Sequence, residues 1–272
     1  MQRVLLTGAA GGVGTRLRKM LPERYPALRL SDRKAPADLQ PDEDFVAADL
    51  ADLAQVERAC AGIDGIIHLG GQSTEAPWET ILQANIVGTY NLFEAAKRQG
   101  VKRVVFASTN HVIGFYPRSR RIGTEARLLS DSRYGVSKAF GEQVGALYAC
   151  KFGLRVLNLR IGNVADAPAN MRLMSIWLAP ADLVQLIRIG LEHPQLRYEV
   201  FYGVSGNDRG WWDNSAAFRY GYRPAGNSET MREAALAGEK DRRPDPVGDY
   251  VQGGHFASQE YAGDFDALKD LG

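Results

Sequence analysis

The 272-residue sequence has few cysteines, almost no excess charge and no long apolar segment. Cys60 and Cys150 stand apart in helical patterns, which excludes a disulfide framework and the usual spacing of a cysteine metal site. The formal net charge is +1, without a basic or acidic tract, which argues against nucleic acid or a membrane surface as a partner. No apolar run approaches the ~18 residues of a membrane span, and the first strand pattern begins too early for a signal peptide. We therefore expect a soluble, cytoplasmic protein that acts on a small molecule.

Strand and helix patterns alternate along the first 160 residues. Because parallel strands need crossover connections, this alternation predicts an α/β protein with a doubly wound parallel sheet, a Rossmann fold, with helices on both faces. The predicted strands are 4–6, 28–32, 45–48, 63–69, 103–108 and 155–160, and long helices are predicted at 78–98 and 132–152.

Beyond residue 161 the alternation loosens. A loop is predicted from Asn163 to Met174, followed by a helix that begins at Pro180 and a further strand at 198–204. We interpret 1–161 as a cofactor-binding core and 162–272 as a smaller, partly helical substrate-binding region packed on it as one compact unit.

Glycines follow the first strand at the spacing of a phosphate-binding turn. The pattern Gly-x-x-Gly-x-x-Gly lets the backbone approach a pyrophosphate where no Cβ intervenes, and the following helix offers free N–H groups. The predicted cofactor contacts in this turn are Gly8, Gly11, Gly12, Val13 and Gly14.

Asp32 ends the second strand pattern, where a carboxylate would accept hydrogen bonds from both hydroxyls of an adenosine ribose. The same carboxylate would repel a 2′-phosphate, which favours NAD over NADP. Arg33 and Lys34 follow directly and could accommodate a phosphate, so the preference is not absolute.

Tyr134 and Lys138 lie four residues apart on a predicted helix and therefore share one face. A lysine cation beside a phenol favours the phenolate and predicts that the pKa of Tyr134 is lowered, which would make it a usable general base. Thr109 ends the fifth strand pattern at the same sheet edge as the glycine turn, so its hydroxyl is expected to converge with Tyr134. In isolation, a Tyr and a Lys at this spacing would be ordinary surface packing.

Together these motifs resemble the extended short-chain dehydrogenases/reductases over about the first 160 residues. The resemblance implies that Tyr134 is the general base, that Lys138 lowers its pKa and holds the nicotinamide ribose, and that Thr109 steadies the substrate oxygen. It also implies that Asn85 belongs to a proton-relay helix and that NAD is the cofactor. Asp49 and Leu50 would face the adenine, and Leu69, Gly70 and Gly71 would line the adenosine side.

Along nearly the whole chain the sequence is similar to the bacterial uronate dehydrogenase family. This resemblance implies NAD-dependent oxidation of the C1 hydroxyl of a cyclic hexuronic acid, glucuronate or galacturonate, to the aldarolactone. It implies that Arg172 clamps the substrate carboxylate and that the protein is a homo-oligomer. The other implied substrate contacts are Ser73, Thr109, Asn110, His111, Tyr134, Asn163 and Phe256.

Other interpretations of the same residues remain. On composition alone Arg172 could be an exposed loop arginine, and His68 on an apolar strand is expected to be a hydrogen-bonded core histidine. A nucleotide-sugar epimerase or dehydratase that recycles its NAD would share the fold, as would a cofactor-sensing regulator without catalysis. No metal site is predicted.

Overall fold

A computed structural model describes residues 1, 3–240 and 242–270. Its strands are β1 (Arg3–Thr7), β2 (Ala27–Asp32), β3 (Asp44–Ala47), β4 (Gly65–His68), β5 (Arg103–Thr109), β6 (Arg155–Ile161), β7 (Asn163–Val164), β8 (Trp177–Leu178) and β9 (Tyr198–Gly203). Seven of them form one parallel sheet in the order β3-β2-β1-β4-β5-β6-β9, and β7 pairs with β8 separately. The strand order reverses between β1 and β4, as it does in a doubly wound sheet. The predicted fold class is confirmed.

Helices cover both faces of the sheet and continue beyond it. They are α1 (Gly12–Met20), α2 (Leu53–Cys60), α3 (Trp78–Ile81), α4 (Gly88–Arg98), α5 (Arg133–Phe152), α6 (Met171–Ile176), α7 (Pro180–Glu192), α8 (Ser215–Arg219), α9 (Arg232–Ala237), α10 (Pro246–Tyr250), α11 (His255–Ser258) and α12 (Phe265–Lys269). Single 3-10 turns span Asn110–Ile113 and Ser228–Met231, and a π-helical stretch, Leu82–Val87, joins α3 to α4. Across the described ranges, no helix is both long and apolar enough to cross a membrane.

The alternating side chains of the strands divide the core into two layers. In β1, Leu6 faces the cluster that includes side chains of α1 and α7, whereas Leu5 faces the cluster that includes those of α2, α4 and α5. Successive residues of a strand point to opposite faces, so a strand buried on both sides is apolar throughout. The short apolar runs seen in the sequence follow from this arrangement.

The loop predicted from Asn163 to Met174 is wrong in two places. Residues 163–164 form β7, and α6 begins at Met171. The side chain of Asn170 caps this helix by accepting a hydrogen bond from the amide of Leu173 at 2.9 Å. An asparagine at this position is a strong helix start signal, and it places Arg172 on a helix rather than on a loop.

The segment after α10 is anchored by buried residues. Val251 forms an antiparallel bridge with Pro117, and both Val251 and Gln252 are fully buried. This anchoring brings α11, which carries Phe256, against the 3-10 turn that follows β5.

Candidate active site

The glycine turn lies at the carboxyl end of β1, next to the point between β1 and β4 where the strand order of the sheet reverses. Gly8 has a φ of +70°, and a Cβ there would stand 2.8 Å from the amide nitrogen of Gly70. A Cβ on Gly14 would stand 2.2 Å from the carbonyl oxygen of Gly8. Neither position can hold a side chain, so the turn can adopt this tight form only with glycine.

The N-terminus of α1 is open. Gly11 precedes the helix and has no side chain to cap it, and a Cβ at Gly12 would meet nothing within 4 Å. The first amides of a helix have no intrahelical acceptor and carry the positive end of the helix dipole. Backbone donors with open space in front of them fit a pyrophosphate.

A cleft of about 780 Å³ begins at this turn and runs along the carboxyl ends of the strands. A cleft of this size suits a cofactor. Every residue predicted to contact the cofactor lines it: Gly8, Gly11, Gly12, Val13, Gly14, Asp32, Asp49, Leu50, Leu69, Gly70, Gly71, Tyr134 and Lys138. Ser73, Thr109 and His111, predicted to contact the substrate, line the same cleft.

Asp32 is fixed against the glycine turn. Its carboxylate accepts a hydrogen bond from the amide of Ala10 at 3.1 Å and one from the amide of Arg33 at 2.8 Å. These bonds hold the carboxylate at the edge of the cleft, where a ribose would meet it. The arrangement fits the adenosine half of a dinucleotide without a 2′-phosphate.

Tyr134, Lys138 and Thr109 come together, as predicted from the spacing. Tyr134 and Lys138 are both buried, and Lys138 Nζ lies 5.9 Å from the centre of the Tyr134 ring. The Thr109 side chain forms a hydrogen bond with the phenol that favours the phenolate. A phenol, a hydroxyl and an ammonium therefore converge at the inner end of the cleft.

The predicted lowering of the Tyr134 pKa by Lys138 is wrong for this arrangement. Burial raises the pKa of Tyr134 to about 12, and the hydrogen bond from Thr109 offsets only part of that rise. Burial also lowers the pKa of Lys138 to about 8, because it disfavours the charged ammonium. Desolvation acts on both groups and outweighs their proximity.

Asn85 lies in the π-helical stretch and bridges two elements. Its Oδ1 accepts a hydrogen bond from the amide of Gln72 at 2.7 Å, and its Nδ2 donates to Ser137 Oγ on α5 at 2.8 Å. π-Helical turns occur often at functional sites. The structure thus places Asn85 between the loop after β4 and the helix of Tyr134, and its predicted relay role stays a prediction.

His111 and Phe256 form the outer wall beside Tyr134. Their rings stack with centres 3.9 Å apart, and Phe256 lies 6.1 Å from the Tyr134 ring. His111 Nδ1 lies 2.8 Å from the carboxylate of Asp131, which orients the imidazole. The C-terminal segment therefore contributes a side chain to the site.

Arg172 is held from the side of the C-terminal segment. Its Nε and Nη2 donate to the carbonyl oxygen of Gln252 at 3.1 and 2.6 Å, and Nη2 also donates to that of Gly253 at 2.8 Å. Burial lowers the pKa of Arg172 to about 10, which leaves it charged at neutral pH. In the part of the chain that the structure describes, no carboxylate forms an ion pair with this guanidinium.

Four predicted substrate residues do not line the cleft itself. They are Asn110, Asn163, Arg172 and Phe256. Of these, Phe256 stacks on His111, which does line the cleft. Asn110 is fully buried, and its Nδ2 has no hydrogen-bond partner among the described residues. Asn163 pairs with Trp177 in the small sheet and directly follows Gly162, which does line the cleft.

His68 departs in part from the expected core histidine. Its Nδ1 lies 2.7 Å from the hydroxyl of Thr7, but its buried Nε2 has no partner among the residues described. Burial lowers the pKa of His68 to about 3, so the ring is neutral.

The Rossmann sheet, the glycine turn and the Tyr–Lys pair agree with a family model that matches residues 4–185, the NAD dependent epimerase/dehydratase family. The chain belongs to this family. Its glycine turn, Asp32 and open helix N-terminus fit the NAD for which the family is described, and the predicted family resemblance is confirmed.

Within the epimerase/dehydratase family the chain is similar to several dehydrogenases of sugar acids. A uronate dehydrogenase of Pseudomonas putida is 46% identical over 257 residues, which are 94% of this chain and 95% of the relative. The solved glucuronic acid dehydrogenase of Chromohalobacter salexigens is 44% identical with a TM-score of 0.90 and covers 94% of this chain and 97% of its own. A mutant uronate dehydrogenase of Agrobacterium tumefaciens complexed with NAD is 43% identical with a TM-score of 0.89, at the same coverage of both chains.

Three residues at the site carried no recognisable signal in the sequence. Asp131 orients His111, Gln252 binds Arg172 through its carbonyl, and Glu75 contacts the first turn of α5. Each acts across a long sequence separation, and no local spacing marks such a contact.

Proposed function

We propose that this protein oxidises the C1 hydroxyl of a cyclic hexuronic acid, glucuronate or galacturonate, to the aldarolactone with NAD⁺. In the reaction the C1–H and O–H bonds break, the hydride leaves with its electron pair, and the proton leaves as H⁺ through Tyr134. The C1 oxygen becomes the lactone carbonyl. When bound, NAD⁺ would supply the hydride acceptor and a positive ring charge that favours the phenolate, and the cleft lined by Gly8, Asp32 and Lys138 would hold it beside Tyr134.

The observation that carries this proposal is the state of Arg172. The guanidinium is partly buried and donates to carbonyl oxygens, which are neutral, and within the described chain it forms no ion pair with a carboxylate, although Asp131 is near enough to favour its charge. A partly desolvated cation whose hydrogen bonds go to neutral carbonyls favours an anionic ligand, and a guanidinium binds a carboxylate through a planar fork. The uronate carboxylate supplies that anion. Its binding would fix the sugar so that C1 meets the nicotinamide and Tyr134.

The chain's own residues divide the chemistry. Tyr134 is the general base that takes the C1 hydroxyl proton, and Thr109 orients the same oxygen. Lys138 holds the nicotinamide ribose and keeps positive charge near the phenol. Ser73, Asn110, His111 and Asn163 contact the sugar hydroxyls, Phe256 packs against the ring, and Asn85 relays the proton along the helix side.

The direct test is NADH absorbance after the purified protein is mixed with NAD⁺ and glucuronate, galacturonate, glucose or a UDP-hexose in turn. We expect NADH with both uronates and none with glucose, because glucose lacks the carboxylate. Interconversion of the UDP-hexose without net NADH would instead establish a nucleotide-sugar epimerase or dehydratase. Tight NAD binding without turnover of any sugar would favour a cofactor-sensing regulator.

We also propose the organisation and setting of the protein. Residues 1–161 form the cofactor-binding core with the catalytic Tyr134 and Lys138, and 162–272, of which 241 and 271–272 lie outside the described residues, form a substrate-binding region packed on that core. Exposed apolar side chains on α4 and α5, Tyr90, Val136 and Leu147, support a homo-oligomer. The free Cys60 and Cys150 support a reducing, cytoplasmic location. Light scattering of the wild type and of Leu147→Glu would test the assembly, and fractionation would test the location.

A further inference from the structure

A carboxylate on the loop after β4 contacts the backbone of Tyr134. Glu75 lies two residues beyond Ser73, and only 9% of its side chain is exposed. Its Oε2 accepts a hydrogen bond from the amide of Tyr134 at 3.0 Å. Its Oε1 accepts one from Arg133 Nη1 at 2.8 Å. One side chain thus binds the predicted base and its neighbour.

This contact completes the cap of α5. Ser132 precedes the helix, and its hydroxyl accepts a hydrogen bond from the amide of Gly135 at 3.0 Å. The amide of Tyr134 belongs to the same first turn and has no acceptor within the helix. Glu75 supplies that acceptor from another element, with a negative charge that the N-terminus of a helix favours. The main chain of Tyr134 is therefore tied to the loop that carries Ser73.

Arg133 extends the same contact to the C-terminal segment. Its Nη2 donates to Glu260 Oε2 at 2.8 Å, and Glu260 lies four residues after Phe256. Glu260 has a φ of +59°, and in the described ranges it is the one residue other than glycine in the left-handed region. Such a conformation costs energy for a residue with a Cβ. In this conformation its carboxylate is bound to Arg133.

Glu75, Arg133, Glu260 and Phe256 line one cavity of about 340 Å³. The outer pair is half exposed, with 43% of the Arg133 side chain and 64% of the Glu260 side chain accessible, so it adds little on its own. The Glu75 side chain is only 9% exposed, and its hydrogen bond to the Tyr134 amide is part-buried. Glu75 is therefore the central member of the cluster.

We propose that Glu75 is a positioning residue that sets the Ser73 loop and Tyr134 in register, with Arg133 and Glu260 tying the Phe256 segment to the same point. The inference rests on the proposed function, because Ser73, Tyr134 and Phe256 are there assigned to the substrate and the proton. Loss of the Glu75 carboxylate displaces both sides of the substrate site and leaves the glycine turn untouched. The effect falls on uronate turnover and not on NAD affinity.

The test compares Glu75→Ala, Glu75→Gln and Glu260→Gln with the wild type. Glu75→Gln keeps an oxygen that can accept from the Tyr134 amide but loses the ion pair, and Glu260→Gln loses only the outer pair. We expect kcat/KM for the uronate to fall by about 100-fold in Glu75→Ala and by about tenfold in Glu75→Gln, since a displacement of about 1 Å at a reacting group has effects of that order. Glu260→Gln should lose about threefold or less. In the two Glu75 variants we expect kcat to fall and KM for the uronate to rise, while the Kd for NAD⁺ stays unchanged.

Asp266→Asn is the matched control. Asp266 is 88% exposed, it forms an ion pair with Lys269 on the same helix, and neither residue lines the cleft or the smaller cavity. Hydrogen exchange provides a readout that does not depend on activity. In Glu75→Ala we expect faster exchange in the peptides covering residues 72–77 and 131–136, with α4 unchanged. If the wild type oxidises uronates and Glu75→Ala keeps kcat/KM within about twofold, or only melts earlier with kcat unchanged, the positioning role is wrong. A wild type that oxidises no uronate would refute the proposed function instead. In that case, unchanged hydrogen exchange of both peptides in Glu75→Ala would also refute the role of Glu75 in holding the Ser73 loop against Tyr134.

Discussion

The guanidinium of Arg172 lies so close to the backbone of Gly254 that a Cβ at this glycine would stand 2.4 Å from Nε. Gly254 has a φ of +66°, so the conformation also favours glycine. The proposed carboxylate clamp therefore depends on a position without a side chain. The carbonyls of Gln252 and Gly253 bind the same guanidinium from the preceding two residues.

Replacing Gly254 with alanine should displace Arg172 and raise KM for the uronate by tenfold or more, since a bidentate carboxylate contact is sensitive to displacement. Gly221→Ala is the matched control, because Gly221 has a φ of +87° but nothing within 4 Å of the added Cβ. Both variants should lose about 1–3 kcal/mol of stability from backbone strain. Steady-state kinetics and thermal melting separate the two effects, and equal KM values in both variants would contradict the prediction.

Arg172→Met should raise KM for the uronate by about 30-fold or more, which corresponds to the 2–5 kcal/mol that an unpaired buried charge costs. Arg172→Lys keeps the positive charge but loses the planar fork of donors. Its KM for the uronate should therefore lie between those of the wild type and Arg172→Met. The methyl ester of the uronate is the matched substrate. The wild type should prefer the acid over the ester, and Arg172→Met should lose that preference. A preserved preference would remove Arg172 from the carboxylate site.

The parts of this protein that sequence could predict are those that depend on local spacing. The glycines around Gly8, the four-residue interval from Tyr134 to Lys138 and the apolar strand patterns all follow from backbone geometry, and the structure confirms their placement. Contacts such as Arg172 with Gln252 join residues 80 positions apart, and no periodicity encodes them. The predicted lowering of the Tyr134 pKa is wrong for a related reason. Burial depends on the whole fold, and its effect on the phenol outweighs that of the neighbouring lysine.

Tyr134→Phe should abolish NADH formation while the Kd for NAD⁺ stays within about twofold, because the phenol oxygen takes the proton and the ring keeps its packing.

In the wild type, kcat/KM should rise with pH up to about 8, since burial raises the pKa of Tyr134 and each step in pH increases the phenolate fraction. Above about 8 the loss of charge on Lys138 should flatten the profile. Lys138→Met should be slow and lack this break. A Tyr134→Phe variant that keeps most of its rate would show that another group is the base.

Asp32→Ala should raise KM for NAD⁺ and relax the discrimination against NADP⁺ by about tenfold, since the carboxylate both accepts from the ribose and repels a 2′-phosphate. Asp32 also accepts hydrogen bonds from Ala10 and Arg33, so Asp32→Asn is the better test of charge alone. Asparagine keeps one acceptor and removes the repulsion. Kinetics with both cofactors at equal concentration would measure the ratio. A wild type that uses NADP⁺ as well as NAD⁺ would contradict the role of Asp32.

His68 should make the stability of the protein depend on acidic pH. Burial lowers the pKa of its imidazole from 6.5 to about 3, so below pH 6.5 the unfolded chain binds a proton that the folded protein does not. Stability should therefore fall as the pH falls through 6.5 toward 3, by about 2 kcal/mol at pH 5 from this residue.

His68→Gln removes the titrating group while keeping a polar side chain that can bond to Thr7. Its own packing will change the absolute stability, so the slope of stability against pH is the quantity to compare. Urea unfolding at a series of pH values gives that slope for both proteins. We expect a shallower slope in His68→Gln between pH 7 and pH 5, because every other titrating group is common to the two chains. Parallel slopes would mean that His68 is protonated in the folded protein, with its free Nε2 bound to an acceptor.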